Sequence, residues 1–215
     1  MRVILGGGGG AQDERPLNGI LSKWIGADGR LLYWPIALRG IRSFESCLEW
    51  ITASLSPLRI TNISMWTELA EHKENELGTF DGVYIGGGNT FSLLAELRES
   101  GFDRYLQAYA LRGKPVYGGS AGAVVLGRDI RIVEQVDSNE VGLQETTGLD
   151  LANGHVIWPH YEPQHAELIQ SYSRQYKLPV LAISERSGIV IEGKELRGAG
   201  FETALRFDEH GRSEV

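Results

Sequence analysis

The chain has 215 residues, with 21 Lys plus Arg against 28 Asp plus Glu and a formal net charge of −7. At about 150 residues per domain that length makes one domain, 1–215, large enough to bury a core without staples. The acidic balance, with no dense Lys/Arg run, argues against a nucleic-acid binder. A single cysteine, Cys47, rules out an intramolecular disulfide scaffold and fits a reducing cytoplasm. No apolar run reaches the roughly 18 residues of a membrane span.

Short β-type runs alternate with helical periods. Arg2–Leu5 reads as a buried strand, too short for a signal-peptide core, that ends in five glycines, Gly6–Gly10. Asp13–Trp24 reads as a helix and Leu31–Ile36 as a second strand. Ser43–Leu55 is helical: Ser43 can cap, Phe44, Cys47, Leu48 and Ile51 recur at the 3.6 period, and Pro57 stops it. Arg59–Ser64 is a strand candidate and Thr67–Leu77 a polar helix. Val83–Ile85 is a strand, followed by Gly86-Gly87-Gly88-Asn89 and a helix from Thr90. Phe102–Leu111 is the next helix, and Pro115–Tyr117 a strand leading through Gly118–Gly122 into a short helix from Ala123. Later strands are Val156–Trp158, Val180–Ile183 and Ile189–Ile191, with a helix over Gln164–Tyr176. Strands alternating with helices imply βαβ units, hence a mostly parallel central sheet covered on both faces, an α/β three-layer sandwich. The stretch from Ile189 to Phe207 adds short β runs and glycines, a terminal antiparallel extension.

Three glycine-rich turns follow strands. Gly6 to Ala11 satisfies G-x-G-x-x-A, but the next strand ends in Pro35-Ile36-Ala37-Leu38 and lacks the acid that a ribose would need. The turn therefore reads as a close-packed connection beside a site. Gly118-Gly119-Ser120-Ala121-Gly122 carries the strongest signal. It fits G-x-S-x-G, follows a strand and opens a helix, the context of a nucleophile elbow. Such a turn projects the Ser120 hydroxyl from the sheet, requires small neighbours, and aims the amide of Ala121 at a developing oxyanion. Gly86-Gly87-Gly88-Asn89 brings a second glycine turn near Ser120, where the amide of Gly88 can donate and Asn89 can cap the helix or meet substrate.

A serine nucleophile needs a base. Of the five histidines, His72 and His210 lie in polar surroundings and His155 opens a strand. His160 directly follows the run Val156-Ile157-Trp158, on the rim where parallel sheets hold ligands. His165, a few residues on, can line the next helix. A carboxylate should orient the imidazole: Glu185, after the strand at 180–183, is one candidate, with Asp137 and Asp129 as rivals that position alone leaves open. There is no Cys/His metal spacing and no H-E-x-x-H, so neither metal nor cofactor is expected.

Three segments, Ile-Gly-Gly-Gly-Asn-Thr-Phe at 85–91, Gly-Gly-Ser-Ala-Gly-Ala at 118–123 and Pro-His-Tyr at 159–161, together resemble the aspartyl dipeptidase (peptidase E) family. These are serine hydrolases related to cyanophycinase and built on a class I glutamine amidotransferase-like sheet. The resemblance runs over roughly 80–192. It implies Ser120 as nucleophile, His160 as base, Glu185 as third member with Asp137 as the alternative acid, and the amides of Gly88 and Ala121 as oxyanion donors. Asn89, Arg186 and His165 are the candidate substrate-binding residues. One feature departs from the family: its members carry a longer segment after Pro-His, with an Arg that binds the substrate's Asp side chain. Here His160-Tyr161-Glu162-Pro163-Gln164-His165 runs straight into the helix, leaving Arg186, Arg39 and Arg42 as the cations near the site. The expectation is a cytoplasmic serine peptidase acting on small peptides, with weak preference for Asp and compatible with a homodimer. A cyanophycinase-like hydrolase of a polymeric peptide and a non-catalytic binding protein are the rivals.

Overall fold

Strand β1, Arg2–Gly6, shows how the sheet is built. Val3, Ile4 and Leu5 are all fully buried, without the alternation of a half-exposed strand, because helices cover both faces. Val3 and Leu5 belong to the larger core cluster and Ile4 to the smaller one across the sheet. The computed structural model describes residues 1–215.

Helix α1 spans Arg15–Ile25 and has a proline in its first turn, where the missing N–H costs nothing; it begins two residues after the expected start. Strand β2 is Leu31–Trp34, cut short of Ile36 by a 3₁₀ turn over Ile36–Leu38. Helix α2, Phe44–Leu55, is capped by Ser43, whose hydroxyl accepts from the Ser46 amide at 3.2 Å. Strand β3 is Ile63–Met65, not Arg59–Ser64, because Arg59 takes a left-handed conformation (φ 65°) to close the turn after Pro57. The expected helix over 67–77 is a 3₁₀ turn, Leu69–Glu71, and a single helical turn α3, Glu74–Leu77. His72 and Lys73 between them are extended. The His72 ring stacks on Trp66 with centroids 3.8 Å apart, a contact that opposes a continuous helix there.

Strand β4, Gly82–Ile85, leads to helix α4, Thr90–Ser100, and Gly101 turns it into α5, Phe102–Leu111. Strand β5, Pro115–Gly119, leads to α6, Ala121–Leu126. Then follow β6, Val156–Trp158, a 3₁₀ turn over Pro163–His165, α7, Ala166–Tyr176, and β7, Val180–Ala182. The chain closes with β8, Ser187–Glu192, β9, Glu195–Gly200, β10, Leu205–Asp208, and β11, Gly211–Glu214.

The main sheet has the order β3-β2-β4-β5-β1-β8-β9. Its first five strands are parallel, β8 pairs antiparallel with β1, and β9 pairs antiparallel with β8. Side chains of α1 and α2 pack into the smaller cluster, and those of α4, α5 and α6 into the larger, which gives the three expected layers. The strands at 156 and 180 do not extend this sheet. They pair with each other in a second sheet of order β11-β10-β7-β6, since β8 occupies the edge of β1 that they would have needed. The antiparallel extension is accordingly divided, β8–β9 on the main sheet and β10–β11 on the second. The two sheets are stitched where the chain leaves β6: the His160 amide donates to the Gly7 carbonyl, just past β1, at 3.0 Å, while the Tyr161 amide continues the β6–β7 pairing to the Ile183 carbonyl at 3.0 Å. No helix is long and apolar enough to cross a membrane.

Candidate active site

Strands β4, β5 and β1 lie side by side, so their carboxyl ends bring three loops together: Gly86–Asn89, Ser120 and Gly6–Gly10. Ser120 has φ 50° and ψ −117°, a strained conformation that costs on the order of 1–3 kcal/mol and persists only where the surroundings impose it. Its own amide donates to the Gly6 carbonyl at 3.1 Å. A Cβ on Gly118 would stand 2.5 Å from the Gly122 carbonyl oxygen, so the turn admits no side chain there.

The second sheet supplies the other two groups. His160 follows β6 with φ 48°, and its Nε2 lies 2.8 Å from Ser120 Oγ. Glu185 follows β7, and its Oε1 lies 3.0 Å from His160 Nδ1. These two distances fix the roles of the ring nitrogens: Nδ1–H donates to the carboxylate, leaving Nε2 to accept from the hydroxyl. The side chains of His160 and Glu185 are 45% and 59% exposed, so their hydrogen bond adds little to stability and the group is open to a substrate.

The amides of Gly88 and Ala121 have no acceptor within the protein. Gly88 holds φ 125°, and any Cβ on it would overlap the Ala37 carbonyl; no other residue can bring this backbone so close. Ser120, His160 and Gly88 border two cavities. One, of about 470 Å³, extends toward Tyr33, Leu38, Arg42, Trp50 and Glu14. The other, of about 300 Å³, is walled by Val124, Val133, Val136, Trp158 and His165, with Asp137 beside them.

All but one of the remaining candidates hold structural bonds. Asp137 makes no bond to His160; its Oδ2 accepts from the Thr90 amide at 2.9 Å and so fixes the start of α4. Asn89 caps the same helix through Ser92 N–H at 2.9 Å and donates to the Ser138 carbonyl at 2.8 Å, which engages both ends of its amide. His165 Nδ1 accepts from the Trp158 indole at 3.3 Å and from the Glu162 amide at 3.1 Å. Arg186 reaches Asp13 at 3.5 Å and Glu202 at 3.8 Å and lies over the Phe201 ring. Arg39 is held by Glu96 at 2.6 Å and Glu68 at 3.2 Å. Arg42 makes no ion pair or side-chain hydrogen bond and is the one Lys or Arg on the larger cavity.

Glu14 is the residue at the site that sequence reasoning passed over. It is 1% exposed. Its Oε2 accepts from the Tyr84 hydroxyl at 3.0 Å and its Oε1 from the Gly8 amide at 3.2 Å. Burial pushes its carboxyl up to about 7, against the hydrogen bonds that lower it. In the sequence it sits in the polar run Gln12-Asp13-Glu14-Arg15 and reads as a first-turn helix acid, with no local signal of burial.

The pattern described as peptidase family S51 matches residues 3–198. The uncharacterised peptidase Lmo0363 of Listeria monocytogenes is 32% identical over 144 residues, 65% of this chain and 70% of its own length. Peptidase E of Shewanella denitrificans is 26% identical over 212 residues, 93% of this chain and 83% of its own. The crystal structure of a proposed peptidase E protein from Listeria monocytogenes superposes with a TM-score of 0.75 at 24% identity, covering 94% of this chain and 98% of that one. A peptidase from an acI-B1 Actinobacterium superposes at 0.74 and 16% identity over 100% and 93%. At these identities the structural likeness speaks for the fold; the family match speaks for the chemistry. With nearly its whole length matched, the chain belongs to peptidase family S51 and is a peptidase.

Proposed function

We propose that this peptidase hydrolyses small peptides through an acyl-enzyme formed on Ser120. The observation that carries the reading is the continuous bonded line Glu185–His160–Ser120, with steps of 3.0 Å and 2.8 Å, at the mouths of two cavities. In the first step His160 Nε2 takes the Ser120 proton as Oγ bonds to the peptide carbonyl carbon. The carbonyl oxygen becomes an oxyanion that the unpaired amides of Gly88 and Ala121 receive, a term worth several kcal/mol in such sites. The tetrahedral species collapses as His160 passes the proton to the leaving amine, breaking the C–N bond. Water then repeats the sequence on the ester and releases the acid. Glu185 holds the imidazole in the tautomer with Nδ1–H and favours the cation that forms twice per cycle.

The cavities support a small substrate and a broad first-residue preference. The 300 Å³ cavity is largely apolar and holds the carboxylate of Asp137 and no arginine or lysine, a poor place for an acidic side chain. Arg42 is the only free cation within reach of the 470 Å³ cavity. Steady-state hydrolysis of a panel of dipeptides and tripeptides, with Ser120→Ala as control, tests the reading. Turnover of unblocked short peptides that vanishes in the variant is expected; a wild-type protein that cleaves none of them overturns it.

A further inference from the structure

The glycine loop after β1 touches every member of the proposed catalytic group. Ser120 hangs from the Gly6 carbonyl and His160 from the Gly7 carbonyl. Gly8, at φ 93°, packs so closely that a Cβ on it would stand 2.5 Å from His160 Cε1 and 2.9 Å from Ser120 Cβ. A Cβ on Gly9 would overlap the Glu185 backbone carbonyl. Five successive glycines have no side chains to hold such a loop still, and each carries a large conformational freedom of its own. Two acids that follow it supply the anchors. Asp13 Oδ2 accepts from the Gly10 amide at 3.2 Å, with exposure to solvent, and Glu14 Oε1 accepts from the Gly8 amide at 3.2 Å from a buried position.

We propose that Glu14 is a positioning residue for the nucleophile and base: by gripping the Gly8 amide it holds the glycine loop as the wall against which Ser120 and the His160 ring are seated. Its own placement is held from both carboxylate oxygens. The carboxyl is clamped by the Tyr84 hydroxyl at 3.0 Å, and Tyr84 is stacked on Tyr117 with ring centroids 4.2 Å apart and planes 9° apart. Both tyrosines come from the fully buried central strands β4 and β5, so the loop is referenced to the middle of the sheet. The groups that face the Glu14 carboxyl are Tyr84, Tyr117, the Gly8 amide and, at the next position, Asp13; no lysine or arginine approaches it. Burial pushes the Glu14 carboxyl up to about 7, so both its protonation states are within reach at neutral pH. Each can keep the Gly8 bond, because a protonated Oε2 can donate to the Tyr84 oxygen while Oε1 still accepts. The essential feature is thus a carbonyl-type acceptor at Oε1, not the charge.

Two substitutions separate this role from a merely structural one. Glu14→Gln keeps an oxygen for Gly8 and an amide donor for Tyr84. Glu14→Leu fills a similar volume and leaves Gly8 without its acceptor. The inference rests on the serine-peptidase reading only for its readout, and labelling of wild-type Ser120 by a fluorophosphonate checks that reading first. With a short peptide substrate, Glu14→Gln should keep kcat within about threefold of wild type. Glu14→Leu should lower kcat and the labelling rate of Ser120 together by roughly 10- to 100-fold, the scale of a 1 Å misplacement, with KM within about threefold. In parallel, the Gly8 amide should be protected from hydrogen exchange in wild type and in Glu14→Gln, a measurement that stands even where Glu14→Leu fails to fold. A folded Glu14→Leu with wild-type kcat, or a Gly8 amide that exchanges freely in wild type, overturns the assignment. So does a Glu14→Gln as impaired as Glu14→Leu. Wild-type protein that is not labelled at all contradicts the serine reading instead.

Discussion

Ser120 and His160 hang from consecutive carbonyls of one strand end: the Ser120 amide donates to Gly6 at 3.1 Å and the His160 amide to Gly7 at 3.0 Å. Both residues hold left-handed backbone, at φ 50° and 48°. The two come from different sheets, yet their separation is set by the length of a single peptide unit rather than by packing of long side chains. Geometry fixed in that way is in place before substrate arrives, which is what the proposed nucleophile–base pair requires.

The third member of the line can be tested against its rival. Glu185→Gln keeps the volume and removes the charge that favours the imidazolium. It should lower kcat by about 10²- to 10⁴-fold, comparable to neutralising the acid of other triads. Asp137→Ala should instead leave the pH profile of kcat unchanged and cost about 1 kcal/mol of stability, because it removes the acceptor at the start of α4. Steady-state kinetics and urea unfolding on both variants check this. The reverse pattern would transfer the role to Asp137.

Two glycines should respond in opposite senses to the same substitution. Gly88→Ala puts a Cβ into the Ala37 carbonyl at φ 125°. It should cost more than about 1 kcal/mol and reduce kcat by displacing an oxyanion donor. Gly19 lies inside α1, and a Cβ there would meet nothing within 4 Å. Gly19→Ala should therefore add about 0.5–1 kcal/mol and leave kcat unchanged. Thermal melts with parallel assays distinguish them, and a Gly88→Ala protein of wild-type stability and activity would refute the close approach.

The legible parts of this molecule are those whose signal is local. The elbow around Ser120 carries its own sequence and context, and His160 and Glu185 each follow a short apolar run directly. Asn89 and Ser43 announce their helices because capping is a property of a few adjacent residues. The helix over 67–77 misled because its polar period is compatible with a helix, whereas the stack of His72 on Trp66 is a tertiary contact. The division into two sheets was hidden for a similar reason. Nothing within Val156–Trp158 or Val180–Ala182 says which strand each will pair with; the antiparallel docking of β8 on β1 decides it. Glu14 was invisible because burial of one acid among Gln12, Asp13 and Arg15 depends on where Tyr84, 70 residues away, places its hydroxyl.

Glu14 also sets a pH dependence of stability. Its folded pKa of about 7 lies above the ordinary glutamate value of 4.5 because of burial, so the folded state holds the proton more tightly than the unfolded chain. The stability associated with the protonated form is complete below about pH 4.5 and is lost as pH rises through 7, by up to about 3 kcal/mol. Urea unfolding at pH 5 and pH 8 should show a fall in wild type that is smaller by that contribution in Glu14→Gln. An identical fall in the two proteins would mean that Glu14 ionises normally.

The proposed broad specificity rests on Arg42 as the one Lys or Arg on the larger cavity. With Arg39 and Arg186 already paired, no dedicated acid pocket is built beside Ser120. kcat/KM for Asp-Leu should exceed that for Leu-Leu and Ser-Leu by less than about 100-fold, and Arg42→Ala should remove what preference there is. A preference for Asp-Leu above roughly 10³-fold, about 4 kcal/mol of discrimination, would require a cation that this reading has missed.

The most direct test of the central claim is covalent. The purified protein is treated with a fluorophosphonate, and the adduct is located by mass spectrometry of proteolytic fragments, with Ser120→Ala treated in the same way. One adduct per chain is expected, on Ser120, absent from the variant, and slowed by substitution of His160. An unlabelled wild-type protein that nonetheless cleaves peptides, or a Ser120→Ala protein that retains turnover, would contradict it.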